Sequence, residues 1–201
     1  YCTIGGGTNG SFGSIDIQNS QIHIPSSGGN TAIGNGWQVY YNRESRIRIA
    51  NSEVSVRCAS LGPAIGAAWD SGSGRINIII ENSTVTAKGG NLRSDTDYIP
   101  GIGKNSSGRA SEIGKIQILN STVESFRHTK SRNMDDSDYV YDDPHTKKLP
   151  GNPAENISIC GSTVNGTRID HSFDEYGKCT LCGKYDIGYC YKNGLLTMEG
   201  L

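Results

Sequence analysis

The sequence predicts an all-β protein, a right-handed parallel β-helix of about five coils, and three observations support this prediction. The first is an internal repeat, whose copies are SIDIQNSQIHI, RIRIANSEVSV, NIIIENSTVTA, KIQILNSTVES and NISICGSTVNG. The second is the β-branched apolar residue at every other position, which indicates strands with one buried face. The third is the central residue of each copy, which is asparagine four times and glycine once. These are the two residue types that enter the left-handed αL region most readily.

The central residue predicts how the copies stack. Its five occurrences, at intervals of 32, 31, 38 and 41 residues, are Asn19, Asn51, Asn82, Asn120 and Gly161. If each repeat is one coil, the copies lie in parallel at about 4.8 Å, the usual spacing of neighbouring strands. The asparagines then form an Asn ladder at one turn, with their amides bonding along the stack. A β-sandwich is the alternative, but it would not require the same turn chemistry in each repeat.

The division of the chain follows from where the repeat is interrupted. An Ile-Gly pair beginning at Ile4, Ile33, Ile65 and Ile102 predicts a third short strand in each repeat. Coils therefore occupy residues 1–168, with a long polar insertion near 126–155. Residues 169–201 replace the isoleucine and valine pattern with cysteine and aromatic residues, and form a small Cys/His module. We expect this module to cap the last coil, whose exposed edge would otherwise invite association.

Charge and composition indicate which kinds of partner to expect, and the first residues indicate how the chain relates to a larger protein. The net charge is −1 with mixed signs, which indicates no nucleic-acid partner. There is no apolar run long enough for membrane insertion. Because Tyr1-Cys2-Thr3-Ile4 already lies within a repeat, we expect the chain to be part of a larger multidomain protein.

The clearest chemical motif lies in the tail. Cys179-x-x-Cys182 has the spacing that lets two thiolates bind one metal ion, and His171 and Cys190 would complete a tetrahedral set. With four protein ligands such a zinc site would be structural. A disulfide and free thiols are the alternatives. The remaining cysteines, Cys2, Cys58 and Cys160, are scattered, and we expect them to be unpaired.

Two sets of motifs carry a resemblance to a known family. The segments AIGNG, PAIGAA and PGIGKN, interleaved with the repeat copies, resemble the Gly-Ile-Gly β-helix repeats of large bacterial cell-surface proteins, especially those of gut Firmicutes. The tail HSFDEYGKCTLCGKYD is similar to a His…Gly-Lys-Cys-Thr-x-Cys-Gly segment found in proteins of the same kind. This resemblance implies a secreted or cell-surface location and a role in adhesion or carbohydrate binding. It implies no single established activity.

Aromatic residues in the loops are the candidate ligand-binding residues, since sugar sites place aromatic faces against a pyranose. They are Trp37, Tyr40, Tyr41, Trp69 and Tyr98. Trp37 and Trp69 each lie three residues after the glycine of an Ile-Gly pair, so they would lie on one edge of neighbouring coils. The partner would be a glycan or another host or cell-surface ligand. The alternative is that these side chains only cap the coil.

Catalysis is the second class of function. Parallel β-helices often carry polysaccharide lyases and glycoside hydrolases, whose sites need converging carboxylates. No predicted outward column holds two acids on adjacent coils, and Asp16 beside Arg48 predicts a surface salt bridge. We therefore assign no catalytic residues and expect a non-catalytic module for adhesion, glycan binding or spacing. A carbohydrate-active enzyme is the alternative. The acidic segment from Asp135 to Asp143 would suit calcium, but it lacks the regular alternation and the glycine of a calcium loop.

Overall fold

The computed structural model describes residues 2–6, 13–28, 31–36, 44–59, 62–68, 74–90, 99–104, 112–128, 139–141 and 157–195. Within these residues the chain is mostly β-strand, with one short helix. The strands are β1 (Cys2–Gly6), β2 (Ser14–Gln18), β3 (Gln21–Ser27), β4 (Thr31–Asn35), β5 (Glu44–Ala50), β6 (Glu53–Cys58), β7 (Ile65–Ala67), β8 (Arg75–Glu81), β9 (Thr84–Lys88), β10 (Ile102–Lys104), β11 (Glu112–Leu119), β12 (Thr122–His128), β13 (Tyr139–Tyr141), β14 (Ile157–Cys160), β15 (Ser162–Val164) and β16 (Thr167–Ile169). The helix is α1 (Ile187–Lys192).

Three sheets are built by taking one strand from successive repeats. The first has the order β1-β4-β7-β10, the second β14-β11-β8-β5-β2, and the third β16-β15-β12-β9-β6-β3. All neighbours in the first two sheets are parallel. In the third sheet, the β15–β16 pair and the β12–β13 pair are antiparallel. The predicted mainly β architecture with parallel sheets is confirmed.

Register follows from the alternation of isoleucine and polar residues. β5 pairs with β8 so that Ile47 lies beside Ile78 and Ile49 beside Ile80. These four side chains are completely buried. A slip of one residue would turn all of them to the solvent, so the buried face fixes the register. The same alternation in every repeat joins their inward side chains into one hydrophobic core.

The turn between the second and third sheets has the predicted backbone. Asn19, Asn51, Asn82 and Asn120 have φ of 48–49°, and Gly161 has φ of 57°. An L-residue pays roughly 1–2 kcal/mol for this left-handed conformation, which explains the restriction to asparagine and glycine. The predicted αL kink is confirmed in all five repeats.

The predicted Asn ladder is wrong, because the hydrogen bonds between neighbouring repeats at this turn are made by the serine that follows each αL residue. The side chains of Asn19, Asn51 and Asn82 are exposed, because the left-handed turn directs them outward. The backbone N–H of one serine donates instead to the hydroxyl of the serine in the next repeat, each time at 3.1 Å. This ladder runs through Ser20, Ser52, Ser83, Ser121 and Ser162. Each of the last four hydroxyls also donates to the carbonyl two residues earlier, at 2.7–2.8 Å.

Glycines stack in the first sheet for a steric reason. Gly5, Gly34, Gly66 and Gly103 have φ between 128° and 139°. A Cβ on any of the first three would overlap the carbonyl oxygen of the glycine in the next repeat. The Ile-Gly pairs therefore lie on strands whose backbones approach closely at this point. These strands, β1, β4, β7 and β10, are the third strands that the pairs predicted.

The stack ends differently on its two sides. At the C-terminal side, Asn165 and Gly166, both with positive φ, turn the chain so that β16 runs antiparallel to β15. Ile169 of β16 packs against the core. At the N-terminal side, β1, β2 and β3 are the outermost strands of their sheets. In the described part of the chain, no helix is long and apolar enough to cross a membrane.

Candidate metal centre

The first member of the centre comes from the last repeat. Cys160 ends β14 and directly precedes the αL residue Gly161. Its thiol is completely buried. The cysteine therefore lies at the end of the last strand of the second sheet, at the turn that leads into β15.

The other members come from the segment after β16. His171 lies two residues past β16, and Cys179 and Cys182 follow in a tight turn. Within this turn the N–H of Gly183 donates to the carbonyl of Cys179 at 2.9 Å. Gly183 has φ of 73°, a conformation that suits glycine. The turn thereby brings the two thiols to the same side.

These four side chains meet at one point. The sulfurs of Cys160, Cys179 and Cys182 and a ring nitrogen of His171 all lie within 4.8 Å of one another. Nδ1 of His171 is 3.5 Å from Sγ of Cys182. Cys179 is 1% exposed, and His171 and Cys182 are half-buried. Three soft thiol donors and one imidazole in this arrangement form a group that could hold a metal ion.

Gly161 makes room for the histidine. A Cβ at this position would overlap Nε2 of His171. The imidazole therefore lies directly on the turn of the last repeat, with its other nitrogen toward the thiols. This contact gives a reason why the fifth repeat has glycine where the other four have asparagine.

The thiols differ in their electrostatics. Burial raises the pKa of Cys160 to about 12, and its hydrogen bonds with Cys182 and Cys179 add to this effect. Burial also acts to raise the pKa of Cys179. Hydrogen bonds from the backbone N–H groups of Cys182 and Leu181, with contributions from His171, outweigh it and lower that pKa to about 6. Backbone N–H groups directed at a sulfur stabilise a thiolate, which is the form that binds metals.

The prediction that Cys190 completes the set is corrected, since Cys160 occupies that place. Cys190 lies on α1, and its thiol donates to the carbonyl of Tyr176 at 3.3 Å. It is 2% exposed and lies where a Cβ on Gly177 would touch its sulfur. Cys190 thus packs the helix onto the preceding turn. Cys160, which the sequence predicts to be unpaired, forms no disulfide, but it lies beside His171, Cys179 and Cys182.

The predicted ligand-binding aromatics lie outside the described residues. They are Trp37, Tyr40, Tyr41, Trp69 and Tyr98. The acidic segment from Asp135 to Asp143, considered for calcium, lies outside them too, apart from strand residues 139–141.

Exposed aromatic side chains occur instead in the C-terminal module. All the exposed large hydrophobic residues of the described chain fall between Phe173 and Leu195. Tyr176 and Tyr185, together with Cys190 and Leu195, line an open groove of about 370 Å³. The aromatic spacing of the tail, with tyrosine at 176, 185, 189 and 191, was a signal for this surface in the sequence.

No protein-family model matches this chain, and comparison with curated proteins and with solved structures finds no match.

Proposed function

We propose that the chain is a non-catalytic structural module, a right-handed parallel β-helix whose C-terminal end is closed by a zinc-held cap. The observation that carries this proposal is the composition of the metal centre. Cys160 belongs to the last repeat, whereas His171, Cys179 and Cys182 belong to the segment that follows. An ion bound by all four side chains would fasten that segment to the end of the stack.

The sheet topology supports the β-helix. Each sheet receives its strands in the order of the repeats, and successive repeats pair in parallel with the same residues opposite one another. A single coil winding through three sheets produces this order. Connections between parallel strands are right-handed in nearly all known cases, which supports the right-handed form.

The donor set favours structural zinc over a disulfide. Three cysteines and one histidine form one of the sets that tetrahedral structural zinc sites use. A disulfide between Cys179 and Cys182 would use only two of the four groups, and would leave the buried Cys160 thiol and His171 without a shared partner. With four protein ligands no position stays open for a substrate, so the ion would stabilise structure. Zinc sites of this kind contribute on the order of 10 kcal/mol or more to folding.

The C-terminal module needs such support because it buries little apolar surface. Phe173, Tyr176, Tyr185, Ile187 and Tyr191 are between 36% and 60% exposed. A segment this small with so little core depends on a metal or on cross-links to remain folded.

Metal analysis of the purified, reduced chain tests the proposal. We expect about one zinc ion per chain, and we expect Cys160→Ser to lose most of it. Cys190→Ser is the matched control, because its thiol is equally buried but lies outside the centre, and it should keep the metal. Retention of zinc by Cys160→Ser together with loss in Cys190→Ser would contradict the assignment.

We further propose that this module serves a secreted or cell-surface protein, as a spacer or in adhesion and glycan binding. The resemblance of the repeats to bacterial surface proteins supports the location. The tyrosine-lined groove supports a binding role, since its exposed rings suit the apolar face of a sugar. A glycan array comparing the chain with Trp37→Ala, Trp69→Ala and Tyr185→Ala tests binding. Equal signals from all four proteins, or none, would contradict it.

A carbohydrate-active enzyme on the same scaffold remains the alternative. On the second sheet, Arg48 of β5 forms ion pairs with acidic residues on both neighbouring strands. Arg48 donates through Nε to Glu81 at 2.6 Å and through Nη1 to Asp16 at 3.3 Å. The predicted Asp16–Arg48 salt bridge is thus confirmed, with Glu81 as a further partner. Release of reducing ends or unsaturated uronates from polysaccharides would favour this alternative.

A further inference from the structure

We infer that Cys182 is a site of oxidation by peroxides, and that its oxidation opens the metal centre by forming a disulfide with Cys179. The ion and Cys160 are then released together, so the cap loses its fastening to the last repeat. This inference rests on the zinc centre proposed above. Its physical basis is that the three thiols differ in their exposure and in the elements that hold their backbones.

Solvent reaches the thiols of the centre from one side. Cys160 is completely buried and Cys179 is 1% exposed, whereas Cys182 is half-buried. Nδ1 of His171 lies 3.5 Å from the sulfur of Cys182, and His171 is half-buried as well. The outer side of the centre thus consists of one thiol and the imidazole. An oxidant such as hydrogen peroxide therefore meets the sulfur of Cys182 before it meets the other two.

Cys179 is the thiol that is placed to react with oxidised Cys182. The two sulfurs lie within 4.8 Å of each other. The sulfur of Cys179 accepts the backbone N–H groups of Cys182 and Leu181, and such bonds stabilise a thiolate. Because the thiolate is the attacking form in disulfide formation, Cys179 is ready to resolve an oxidised neighbour.

The turn that carries both thiols is held by hydrogen bonds of its own. The N–H of Gly183 donates to the carbonyl of Cys179 at 2.9 Å, and the N–H of Cys179 donates to the carbonyl of Lys184 at 2.7 Å. Neither bond involves Cys160. A disulfide between Cys179 and Cys182 therefore joins two side chains of one locally bonded turn, without a change in how that turn is held.

Cys160 is held by a different part of the molecule. It pairs with Leu119 in the second sheet. Its carbonyl accepts the N–H of Asn120 at 3.0 Å and the hydroxyl of Ser162 at 2.8 Å. A disulfide requires specific separations of the two Cα and Cβ atoms. Two cysteines on separately held elements reach these separations less easily than two cysteines of one turn, so the pair formed on oxidation excludes Cys160.

The reaction takes two steps, and hydrogen peroxide is the oxidant. The Cys182 thiolate attacks one oxygen of the peroxide, the O–O bond breaks and hydroxide leaves, which gives a sulfenic acid. The Cys179 thiolate then attacks the sulfur of this acid, the S–O bond breaks and a second hydroxide leaves. The two sulfurs lose two electrons, which the peroxide takes up. Since Cys160 and His171 are then the remaining donors of the four, the zinc ion dissociates.

Loss of the ion removes the link between the cap and the last repeat. β16 then depends on its three-residue pairing with β15 and on the packing of Ile169. A two-stranded hairpin of this size is marginal in water. Arg168 lies in this pair, and its side chain is 57% exposed. Oxidation should therefore expose the peptide bond after Arg168 to trypsin.

Disulfide mapping of the zinc-loaded full chain after treatment with hydrogen peroxide tests the inference. Zinc content is measured first, so failure of the proposed centre is seen separately as a chain that carries no metal. The remaining thiols are blocked with N-ethylmaleimide, and the denatured chain is digested with trypsin, which cuts after lysine and arginine. Cys179 and Cys182 then share the peptide 179–184, whereas Cys160 lies in 149–168 and Cys190 in 185–192. A disulfide within the turn and one to the last repeat therefore give different products.

We expect peroxide to cause loss of the bound zinc, detected with a chromogenic chelator, in step with loss of two hydrogens from peptide 179–184. Cys160 and Cys190 should be recovered as blocked thiols. Reduction with dithiothreitol and addition of zinc should restore the metal content. A disulfide that joins peptide 149–168 to peptide 179–184 would overturn the inference while leaving the zinc centre intact. Zinc that stays bound throughout the peroxide treatment would overturn it as well.

Two serine variants separate oxidation at the centre from general damage. In Cys182→Ser we expect Cys160 and Cys179 to stay reduced under the same treatment, because both are buried. Cys190→Ser is the matched control, since its thiol lies outside the centre, and it should lose zinc at the rate of the unmodified chain. Oxidation of Cys179 at an unchanged rate in Cys182→Ser would overturn the assignment of Cys182 as the oxidised site.

Limited trypsin digestion of the native chain follows the cap itself, and it needs no variant that has to fold. Cleavage after Arg168 should be faster in the peroxide-treated chain than in the zinc-loaded chain. Treatment with dithiothreitol and zinc should return it to the slower rate. Equal rates of cleavage before and after oxidation would overturn the release of the cap.

Discussion

The serine ladder gives the sharpest test of how the repeats are held together. Ser83 is 6% exposed, accepts the N–H of Ser52 at 3.1 Å and donates to the carbonyl of Glu81 at 2.7 Å. In Ser83→Ala the buried N–H of Ser52 loses its acceptor, because an alanine methyl group cannot replace the hydroxyl. Leaving a buried donor unpaired costs about 1–3 kcal/mol.

We therefore expect Ser83→Ala to lower the free energy of unfolding by about 2 kcal/mol. For a chain of this length, that corresponds to a melting temperature lower by about 4–8 °C. Calorimetry of the metal-saturated protein measures the shift. Ser20→Ala is the matched control, because within the described residues the Ser20 hydroxyl accepts no N–H from another repeat, so this substitution should lower the free energy of unfolding less. Equal melting temperatures for Ser83→Ala and Ser20→Ala would refute the role of the ladder.

Three further substitutions test the backbone and the metal centre. Gly66→Ala should lower the free energy of unfolding by about 3 kcal/mol, because an alanine there would adopt a φ of 134° and its Cβ would overlap the carbonyl oxygen of Gly103. Urea unfolding measures this change, and Gly28→Ala is the control, because no atom lies near the position of its Cβ. Asn82→Val should lower the free energy of unfolding in urea by about 1–2 kcal/mol, because a valine is strained at a φ of 48°. Asn82→Gly should leave this free energy almost unchanged, because glycine adopts that φ without strain. Gly161→Ala should weaken zinc binding by about tenfold or more, because the methyl group displaces the ring of His171, and competition with a chromogenic chelator measures the change. An unchanged free energy of unfolding in Gly66→Ala or Asn82→Val would contradict the backbone argument for that position. An unchanged zinc affinity in Gly161→Ala would contradict the contact with His171.

Much of the fold was predictable because its physics is local and repeated. Alternating isoleucines such as Ile47 and Ile49 indicate a strand wherever they occur, and an asparagine between two such strands indicates a left-handed kink. The Ile-Gly pairs predicted the third strand for the same reason, although the sequence did not show that a carbonyl oxygen lies against the glycine.

The ladder was assigned to the wrong residue because both candidates recur together. Asn51 and Ser52, like the other pairs, are adjacent in every asparagine-containing repeat, so periodicity alone does not say which side chain turns inward. The αL conformation decides it, since it directs the asparagine outward and the next residue into the stack. One signal was present. Gly161 replaces asparagine in the fifth repeat, whereas Ser162 retains the serine.

The metal centre was half predictable. Cys179 and Cys182 are close in sequence, and their spacing alone places both thiols together. Cys160 is 19 residues away from Cys179 and lies in a position of the repeat that carries unrelated residues elsewhere, so only the path of β14 and β16 brings it to the site. Cys190 is nearer in sequence, but the short helix turns its thiol into the module's own interior.

Zinc K-edge X-ray absorption on the purified chain tests the central claim most directly, since it counts the ligands of the metal. We predict three sulfur neighbours at about 2.3 Å and one nitrogen neighbour at about 2.0–2.1 Å, from Cys160, Cys179, Cys182 and His171. The zinc that remains bound to Cys160→Ser should have one sulfur neighbour fewer, whereas Cys190→Ser should give an unchanged spectrum. A spectrum with two sulfurs in the unmodified chain, or one that loses a sulfur only in Cys190→Ser, would contradict a cap fastened to the last repeat.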